Sequence, residues 1–258
     1  MAVAPALSPA FEALVSEFKI HAMHVKALQK VANYSVSLIV DDSSSMATKV
    51  SSGSGGTRWE EMKKTAHRVL SLVFSLTGNA GVHVFFVNRM PQGQVITSLE
   101  QLAEHFAAEP EGPCQMVPAV SAALSKKTGV RSKLLLIATG GTVANEKALE
   151  ESLRNRDMAS RVCIMAISDC ESELRFLEQL DRSTIFAIDV VDDYEAESRK
   201  VKMVQGEDFP YSKGDHLACY ICGAIHHAYG LLNECKVVID GYTFRRAPPP
   251  PRPCCSVQ

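Results

Sequence analysis

The sequence lacks the features of secreted and membrane-spanning proteins. No uninterrupted apolar stretch is long enough to cross a bilayer, since the longest candidate, residues 217–232, contains His226 and His227. The N-terminus has no basic region followed by a continuous apolar run, so no signal peptide is predicted. The eight cysteines form no disulfide-scaffold pattern, and several lie in apolar runs, where a reduced thiol behaves as a small hydrophobe. We therefore expect a protein of the cytoplasm.

The chain also has no strong net charge of either sign. Lys and Arg total 27 against 29 Asp and Glu, which gives a net charge of -2 and a pI of about 6.4. No cluster of Lys and Arg contradicts this balance. The composition therefore argues against a nucleic-acid-binding surface.

The common catalytic signatures are absent as well. Residues 51–56 form a loop rich in Gly and Ser, but the Gly-Lys-Ser/Thr ending of a nucleotide-binding loop does not follow. There is no Gly-x-Ser-x-Gly elbow, and no serine, histidine and acid occur in a recognisable catalytic context. The sequence predicts a protein that is not an enzyme.

Apolar strand patterns alternate with helical patterns along most of the chain. Strands are predicted at 34–40, 81–87, 94–97, 133–139, 161–168 and 185–191. Helices are predicted at 8–32, 58–77, 98–108, 116–127, 146–158, 171–180 and 213–233. This alternation predicts an α/β fold with a doubly wound, mostly parallel, Rossmann-like sheet flanked by helices. The predicted parts are an N-terminal helix packed on the domain (1–32), the domain itself (33–235) and a tail (236–258).

The strand at 34–40 ends abruptly in polar residues. Asp41, Ser43 and Ser45 form the pattern Asp-x-Ser-x-Ser directly after it. In open α/β sheets, binding sites form at the carboxyl ends of the strands. The pattern resembles the metal-ion-dependent adhesion motif of von Willebrand factor A (VWA) domains, in a variant that reads Asp-Asp-Ser-x-Ser-Met.

The resemblance continues beyond this motif. Arg58-Trp59 opens the next helix, as in the similar A-domains, and three later segments also match: 176–181, 188–192 and 214–225. The resemblance covers about residues 30–233. It implies a VWA fold and a non-enzymatic module that binds a protein partner.

The resemblance also implies a site for Mg²⁺ or Mn²⁺, with an acidic side chain of the partner at the open coordination position. Asp41, Ser43 and Ser45 match the family's ligands on one side. Cys114 stands where a second loop supplies threonine, and Gly140 stands where a third loop supplies aspartate. A thiol is a poor ligand for Mg²⁺. Two hypotheses follow: metal-assisted binding, or binding without metal in which Ser43 and Ser45 cap the following backbone.

Other interpretations of the same residues are a receiver-like signalling domain and a hydrolase that uses the Asp41 loop. The pair Asp41-Asp42 resembles the acidic pair of receivers, but Asn88 stands at the position of the phosphoacceptor aspartate. His216, Cys219, Cys222 and two later histidines lie on one predicted helix. Ligands on one straight helix cannot surround a zinc ion, so a zinc site is not predicted.

The tail from residue 236 onward is basic and rich in proline. Residues 247–251 and Pro253 favour the polyproline conformation, which SH3 or WW domains bind. The last four residues fit the Cys-a-a-X prenylation pattern, with Cys255 as the farnesyl acceptor and Cys254 as a palmitoylation candidate. Together these features predict a lipidated tether at the cytoplasmic face of a membrane.

Overall fold

The fold is a doubly wound α/β sheet, as the sequence predicts. The computed structural model describes residues 8–50, 56–78, 80–127, 129, 131–182 and 188–239. Its six-stranded sheet has the order β3-β2-β1-β4-β5-β6, and only the edge strand β3 is antiparallel to its neighbour. The strands are β1 (Tyr34–Val40), β2 (Val82–Phe86), β3 (Met90–Ile96), β4 (Ser132–Thr139), β5 (Arg161–Ala166) and β6 (Ile188–Val191).

Helices cover both faces of the sheet. They are α1 (Pro9–Glu17), α2 (Val25–Gln29), α3 (Arg58–Thr77), α4 (Leu99–His105), α5 (Met116–Ser125), α6 (Glu146–Arg154), α7 (Glu171–Arg182), α8 (Tyr194–Gln205), α9 (Lys213–Cys222) and α10 (His227–Gly230). Leu38 and Val40 face one core, and Ile39 between them faces the other. A strand buried on both faces needs an uninterrupted apolar sequence, which β1 has.

Helix α3 shows how local sequence defines an element that borders the site. Thr57 and Glu60 form a capping box at its start, and Gly78 ends it in the left-handed conformation with φ of 65°. Its apolar side, which includes Trp59, Met62 and Leu70, is buried in the core. These signals give the element the boundaries predicted from sequence.

The prediction of one helix over residues 8–32 is wrong. Helix α1 ends at Glu17, and Lys19 has a positive φ of 57°. The chain turns here because it packs on a distant segment: Ser212 Oγ donates a hydrogen bond to the Lys19 carbonyl oxygen at 2.8 Å. Phe11 and Leu28 lie in the main core, so this segment is an integral part of the domain.

Other elements also differ from the predictions. Helix α8 lies where no element was predicted, and its buried residues are mostly polar (Glu197, Ser198, Val201 and Gln205), so it lacks an apolar period. Helix α9 ends at Cys222, not near residue 233, and a 3₁₀ turn (Gly223–Ile225) and an extended His226 separate it from α10. The edge strand β3 begins at Met90 rather than at residue 94.

The tail prediction falls mostly outside the described residues. Residues 240–258, with Cys254 and Cys255, are not among them. Of the four described residues after 235, Ile239 is 2% exposed, so the packed domain extends past the predicted boundary. In the described ranges, no helix combines the length and apolar character that crossing a bilayer requires.

The order of the parallel strands creates a switch point between β1 and β4. Strand β1 pairs with β2 on one side and with β4 on the other. The chain therefore reverses direction across the sheet between β1 and β4. In open α/β sheets, ligands bind at the carboxyl ends of the strands at such a switch point.

Candidate functional site

Asp41 lies at this switch point and is the centre of a buried hydrogen-bond cluster. Its side chain is fully buried. The Oδ1 atom accepts a hydrogen bond from the backbone N of Ser43 at 3.0 Å. The Oδ2 atom accepts from Thr139 Oγ1 at 2.7 Å, from Gly140 N at 3.2 Å and from Cys114 Sγ at 3.4 Å. We call Asp41, Ser43, Ser45, Cys114, Thr139 and Gly140 the Asp41 cluster.

Backbone hydrogen bonds join the three loops that supply this cluster. Ser44 N donates to the carbonyl oxygen of Gly112 at 2.8 Å, which joins the loop after β1 to the loop before α5. Ala144 N donates to the carbonyl oxygen of Cys114 at 3.1 Å, which joins that loop to the one after β4. The structure thus brings together the three loops that the resemblance assigned to one site.

The two motif serines contact each other. Ser43 Oγ lies 3.0 Å from Ser45 Oγ. Ser45 belongs to a short 3₁₀ turn at Ser44–Ala47. Ser43 precedes this turn but makes no capping hydrogen bond with its side chain. The expectation that Ser43 caps the following backbone is therefore wrong. Two neighbouring hydroxyls instead lie on the edge of the cluster.

Cys114 is present in the cluster as a neutral hydrogen-bond donor. Burial raises the pKa of its thiol, and the nearby Asp41 carboxylate raises that pKa further. The sulfur is therefore protonated at neutral pH and donates to Asp41 Oδ2. A protonated thiol is neither a metal ligand nor an activated nucleophile.

Gly140 has no side chain at the position where the resemblance implies an aspartate, and its neighbours pack closely around it. A Cβ atom built on it would lie 3.1 Å from Met46 Sδ, 3.5 Å from Ser45 Oγ and 3.7 Å from Arg58 Nη1. Arg58 is 2% exposed, and its Nη2 pairs with Glu173 Oε2 at 2.7 Å. Sequence reasoning used Arg58 only as a landmark of the resemblance and missed its place beside the cluster.

These residues do not fit an Mg²⁺ or Mn²⁺ ion. Mg²⁺ requires near-octahedral oxygen coordination, but the Asp41 oxygens already accept four hydrogen bonds from the protein. The second loop supplies a thiol, which is a poor ligand for Mg²⁺, the third-loop carboxylate is missing, and a guanidinium lies near the place of that carboxylate. Within the described ranges, no group of three or more His, Cys, Asp or Glu side chains is placed to hold a metal.

Asp42 belongs to a separate buried ion pair. Its Oδ2 atom accepts from Arg89 Nε at 2.6 Å, and its Oδ1 atom accepts from the backbone N of Asn88 at 2.8 Å. The Arg89 guanidinium also donates to the carbonyl oxygens of His105, Ala108 and Glu109. Asp42 thus holds the turn between β2 and β3. Asp41 and Asp42, the acidic pair of the receiver interpretation, therefore belong to two different hydrogen-bond networks.

A cavity of about 340 Å³ opens at the same edge of the sheet, past the ends of β5 and β6. Met165, Ile167 and Leu217 form part of its apolar wall, while Arg68 and Lys213 are among its charged residues. No motif in the sequence indicated this cavity, because its lining comes from segments far apart along the chain. It provides concave surface beside the Asp41 cluster.

No protein-family model, curated protein or solved structure matches this chain. The geometry of the site and the motif at Asp41 are therefore what point to a function, at the carboxyl ends of the strands where the three loops meet.

Proposed function

We propose that this chain is a non-enzymatic protein-interaction module of the VWA type, which binds a protein partner at the carboxyl edge of its sheet. The observation that carries the proposal is the convergence of three loops on Asp41 at the β1/β4 switch point. A buried carboxylate that accepts four hydrogen bonds fixes the shape of these loops. A rigid rim of this kind suits recognition of a partner surface.

The rim of the cluster offers exposed groups to a partner. Ser44, Gln115 and Thr142 each come from a different loop and are exposed. The adjoining cavity extends this surface toward β5 and β6. Concave surfaces between loops at a switch point are common binding sites.

The chemistry of the cluster favours binding over a hydrolase. Ser43 Oγ contacts Ser45 Oγ rather than a base that could remove its proton. The raised pKa of Cys114 disfavours the thiolate, and both oxygens of Asp41 are engaged by the protein. Nucleophilic catalysis needs an activated nucleophile next to a base. The described cluster contains hydroxyls, a neutral thiol and a carboxylate whose two oxygens already accept hydrogen bonds from the protein. None of these is an activated nucleophile next to a base.

Site-specific photo-crosslinking in cells tests this proposal. A photoreactive amino acid is placed singly at Ser44, Gln115 and Thr142, and as a matched control at Ser132, which is exposed at the amino end of β4. We expect the three rim positions to yield the same partner adduct and the control position to yield none. The adduct is then sought in an Asp41→Ala background, where the loops lose their shared acceptor.

Two results would contradict the interaction module. One is an adduct pattern that is the same at Ser132 as at the rim. The other is a rim without any adduct while a second face of the domain is labelled. A defined turnover that Asp41→Ala abolishes would favour the hydrolase instead.

The second part of the proposal is a tether at the cytoplasmic face of a membrane. Cys255 is the proposed farnesyl site, Cys254 the proposed palmitoyl site, and Arg252 with two earlier arginines would favour anionic lipid. The proline run before them is a candidate ligand for SH3 or WW domains. Intact-mass measurement of protein from eukaryotic cells, beside a Cys255→Ser variant, tests the tether. An unmodified C-terminus in the unmutated chain rules it out.

A further inference from the structure

The amino ends of β4 and β5, opposite to the Asp41 cluster, are rich in basic residues. The segment 126–131 leads from α5 into β4, and the segment 155–160 leads from α6 into β5. Residues 126–133 and 154–161 together contain seven Lys and Arg and a single acid, Asp157. The two strands are adjacent and parallel, so their starts lie side by side. The balanced net charge of the chain therefore does not exclude a local excess of positive charge here.

Three of these cations have no acidic partner. Within the described residues, Lys126, Lys127 and Arg161 form no salt bridge. Burial lowers the pKa of Arg156, and the nearby charge of Arg161 lowers that pKa further. Burial also lowers the pKa of His83, near the start of β2, and Lys126 adds to this effect. Positive charge thus extends along the amino ends of the strands from β2 to β5.

Exposed apolar side chains are found at the same end. Among the described residues, four large apolar side chains are exposed, namely Val95, Met158, Met203 and Val238. Val95 pairs with His83, because β3 is antiparallel to β2 and ends where β2 begins. Met158 is 56% exposed and lies between Arg156 and Arg161 in the segment before β5. An exposed apolar side chain is therefore placed among the cations.

Met203 and Val238 lie away from the carboxyl ends as well. Helix α8 begins just past the carboxyl end of β6, so its last turn, with Met203, lies away from that end. Gln205 in this turn holds the last described segment. Its Nε2 donates to the Leu232 carbonyl oxygen at 2.6 Å, and its Oε1 accepts from Val237 N at 3.3 Å. Val238 therefore lies beside the end of α8.

A second contact places this last segment toward the amino ends of the strands. Helix α7 crosses back from β5 toward the start of β6, and Asp181 lies in its final turn. Burial raises the pKa of Asp181 to about 6, and the nearby charge of Glu234 contributes to this rise. Residues 240–258, with Cys255 of the proposed tether, follow a few positions later. The described chain thus ends on the side of the domain that carries the basic segments.

We propose that Lys126, Lys127, Arg131, Met158 and Arg161, which we call the amino-end surface, bind an anionic lipid bilayer. The cations are attracted to anionic headgroups, and the apolar side chain of Met158 inserts among them. The Asp41 cluster then faces away from the bilayer. The orientation relative to the tether and the partner rests on the proposed function, whereas the lipid-binding surface does not.

A bilayer fits this surface better than a nucleic acid does. Single-stranded nucleic acids are bound by cations together with aromatic side chains on which the bases stack. The exposed apolar residues here are valine and methionine. The cavity at the carboxyl ends is lined by four acids and two of Lys and Arg. The two ends of the sheet therefore differ in the sign of their charge, which orients the domain on an anionic plane.

Co-flotation of the full, unlipidated chain with vesicles tests this surface. We expect the chain to bind phosphatidylcholine vesicles that contain phosphatidylserine, not pure phosphatidylcholine vesicles, and to dissociate as salt is raised. Replacing Lys126 and Lys127 together by Gln should lower the partition coefficient about 10–30-fold, since each cation near an anionic bilayer contributes a factor of about five. The matched control replaces Lys63 and Lys64 by Gln. It removes the same charge near the start of α3, at the carboxyl end, and should change the coefficient less than about 2-fold.

Tryptophan fluorescence identifies the face that touches the lipid. Trp59 is the one tryptophan of the chain and is 1% exposed, so a second tryptophan at the surface reports separately. Emission from Met158→Trp should shift to the blue when phosphatidylserine vesicles are added. Emission from Gln115→Trp, at the carboxyl end, should not shift.

Three results would overturn the inference. These are equal partition coefficients of the two double-lysine variants, a blue shift at Gln115→Trp in place of Met158→Trp, and displacement of the chain from vesicles by a short single-stranded RNA. The last result would indicate a nucleic-acid surface instead. The measurements use neither a lipidated chain nor a protein partner. They therefore succeed or fail separately from the crosslinking and intact-mass tests.

Discussion

Thr139 Oγ1 donates a hydrogen bond of 2.7 Å to Asp41 Oδ2, which joins the carboxyl ends of β4 and β1 across the switch point. Both side chains are fully buried. The same hydroxyl accepts a hydrogen bond from the backbone N of Gly141 at 3.1 Å, so it also fixes the loop that follows β4. This contact is therefore one of those that fix the shape of the proposed rim.

Replacing Thr139 by Val should therefore destabilise the domain. Val has nearly the same shape but no hydroxyl, so a buried carboxylate oxygen loses its shortest hydrogen bond and Gly141 N loses its acceptor. We expect a loss of about 1–3 kcal/mol in the free energy of unfolding, measured by urea titration. Thr142→Val, at an exposed position of the same loop, serves as the control and should change stability by less than about 0.5 kcal/mol. Equal effects of the two substitutions would contradict this role of the hydroxyl.

The Asp42–Arg89 ion pair should contribute far more than the surface pairs. Asp42 is 1% exposed, so Arg89→Ala leaves a buried charge without its partner and removes three donors to carbonyl groups. The expected loss is about 3–5 kcal/mol. Arg182→Ala breaks an exposed pair with Glu178 and should cost less than about 1 kcal/mol. Stabilities of the two variants that agree within error would show that burial does not set the strength of these pairs.

Stability should rise as the pH falls from about 8.5 to about 6.5. Burial raises the pKa of Glu197 to about 8 and that of Asp189 to about 7. Each group keeps its proton to a higher pH in the folded state than in the unfolded state. Its contribution to stability is therefore complete at low pH and is lost as the pH rises through the folded pKa.

Two buried histidines should stop this trend at lower pH. Burial lowers the pKa of His24 to about 3 and that of His216 to about 4. Below about 6.5, the unfolded chain binds two protons at these sites that the folded chain does not, and this offsets the two protons that Glu197 and Asp189 hold only in the folded state. We therefore expect stability to level off between about pH 6.5 and 4.5.

Urea titrations at a series of pH values test both the limb above pH 6.5 and the plateau below it. Asp189→Asn should flatten the limb above pH 6.5, where each proton taken up only by the folded state is worth about 1.4 kcal/mol per pH unit. Asp189→Asn also preserves the size of the side chain beside Gly223. A stability that increases between pH 6.5 and 8.5 would refute the assignment of the buried acids.

The two glycines after β4 should respond differently to alanine. Gly141 has a φ of 100°, and a Cβ there would lie 2.8 Å from the backbone oxygen of Glu173. Gly141→Ala should therefore cost at least about 1–3 kcal/mol through strain and this contact. A Cβ on Gly140 meets only movable side-chain atoms, the nearest being Met46 Sδ at 3.1 Å, so Gly140→Ala should change stability by less than about 1 kcal/mol. Thermal unfolding of both variants checks the order, and a reversed order would contradict it.

Much of the fold could be predicted because its signals are local. The parallel strands read as apolar runs since both of their faces are buried, and helix α3 carries its own capping box at Thr57 and Glu60. Helix α8 escaped prediction because its buried side is largely polar, including Glu197 and Gln205. The break at Lys19 escaped because its cause, a contact with Ser212, lies 193 residues away in the sequence.

The sequence by itself determined that Asp41, Ser43 and Ser45 lie at the end of a buried strand, since an apolar run followed by five polar residues leaves few other arrangements. Only the tertiary structure decided what surrounds them. Thr139 reaches Asp41 from 98 residues away, and Arg89 reaches Asp42 from 47 residues away. The guanidinium of Arg58 lies beside Gly140 for the same reason. Hydrogen bonds and charges between side chains depend on distances of a few ångströms, and strand pairing and helix packing set those distances.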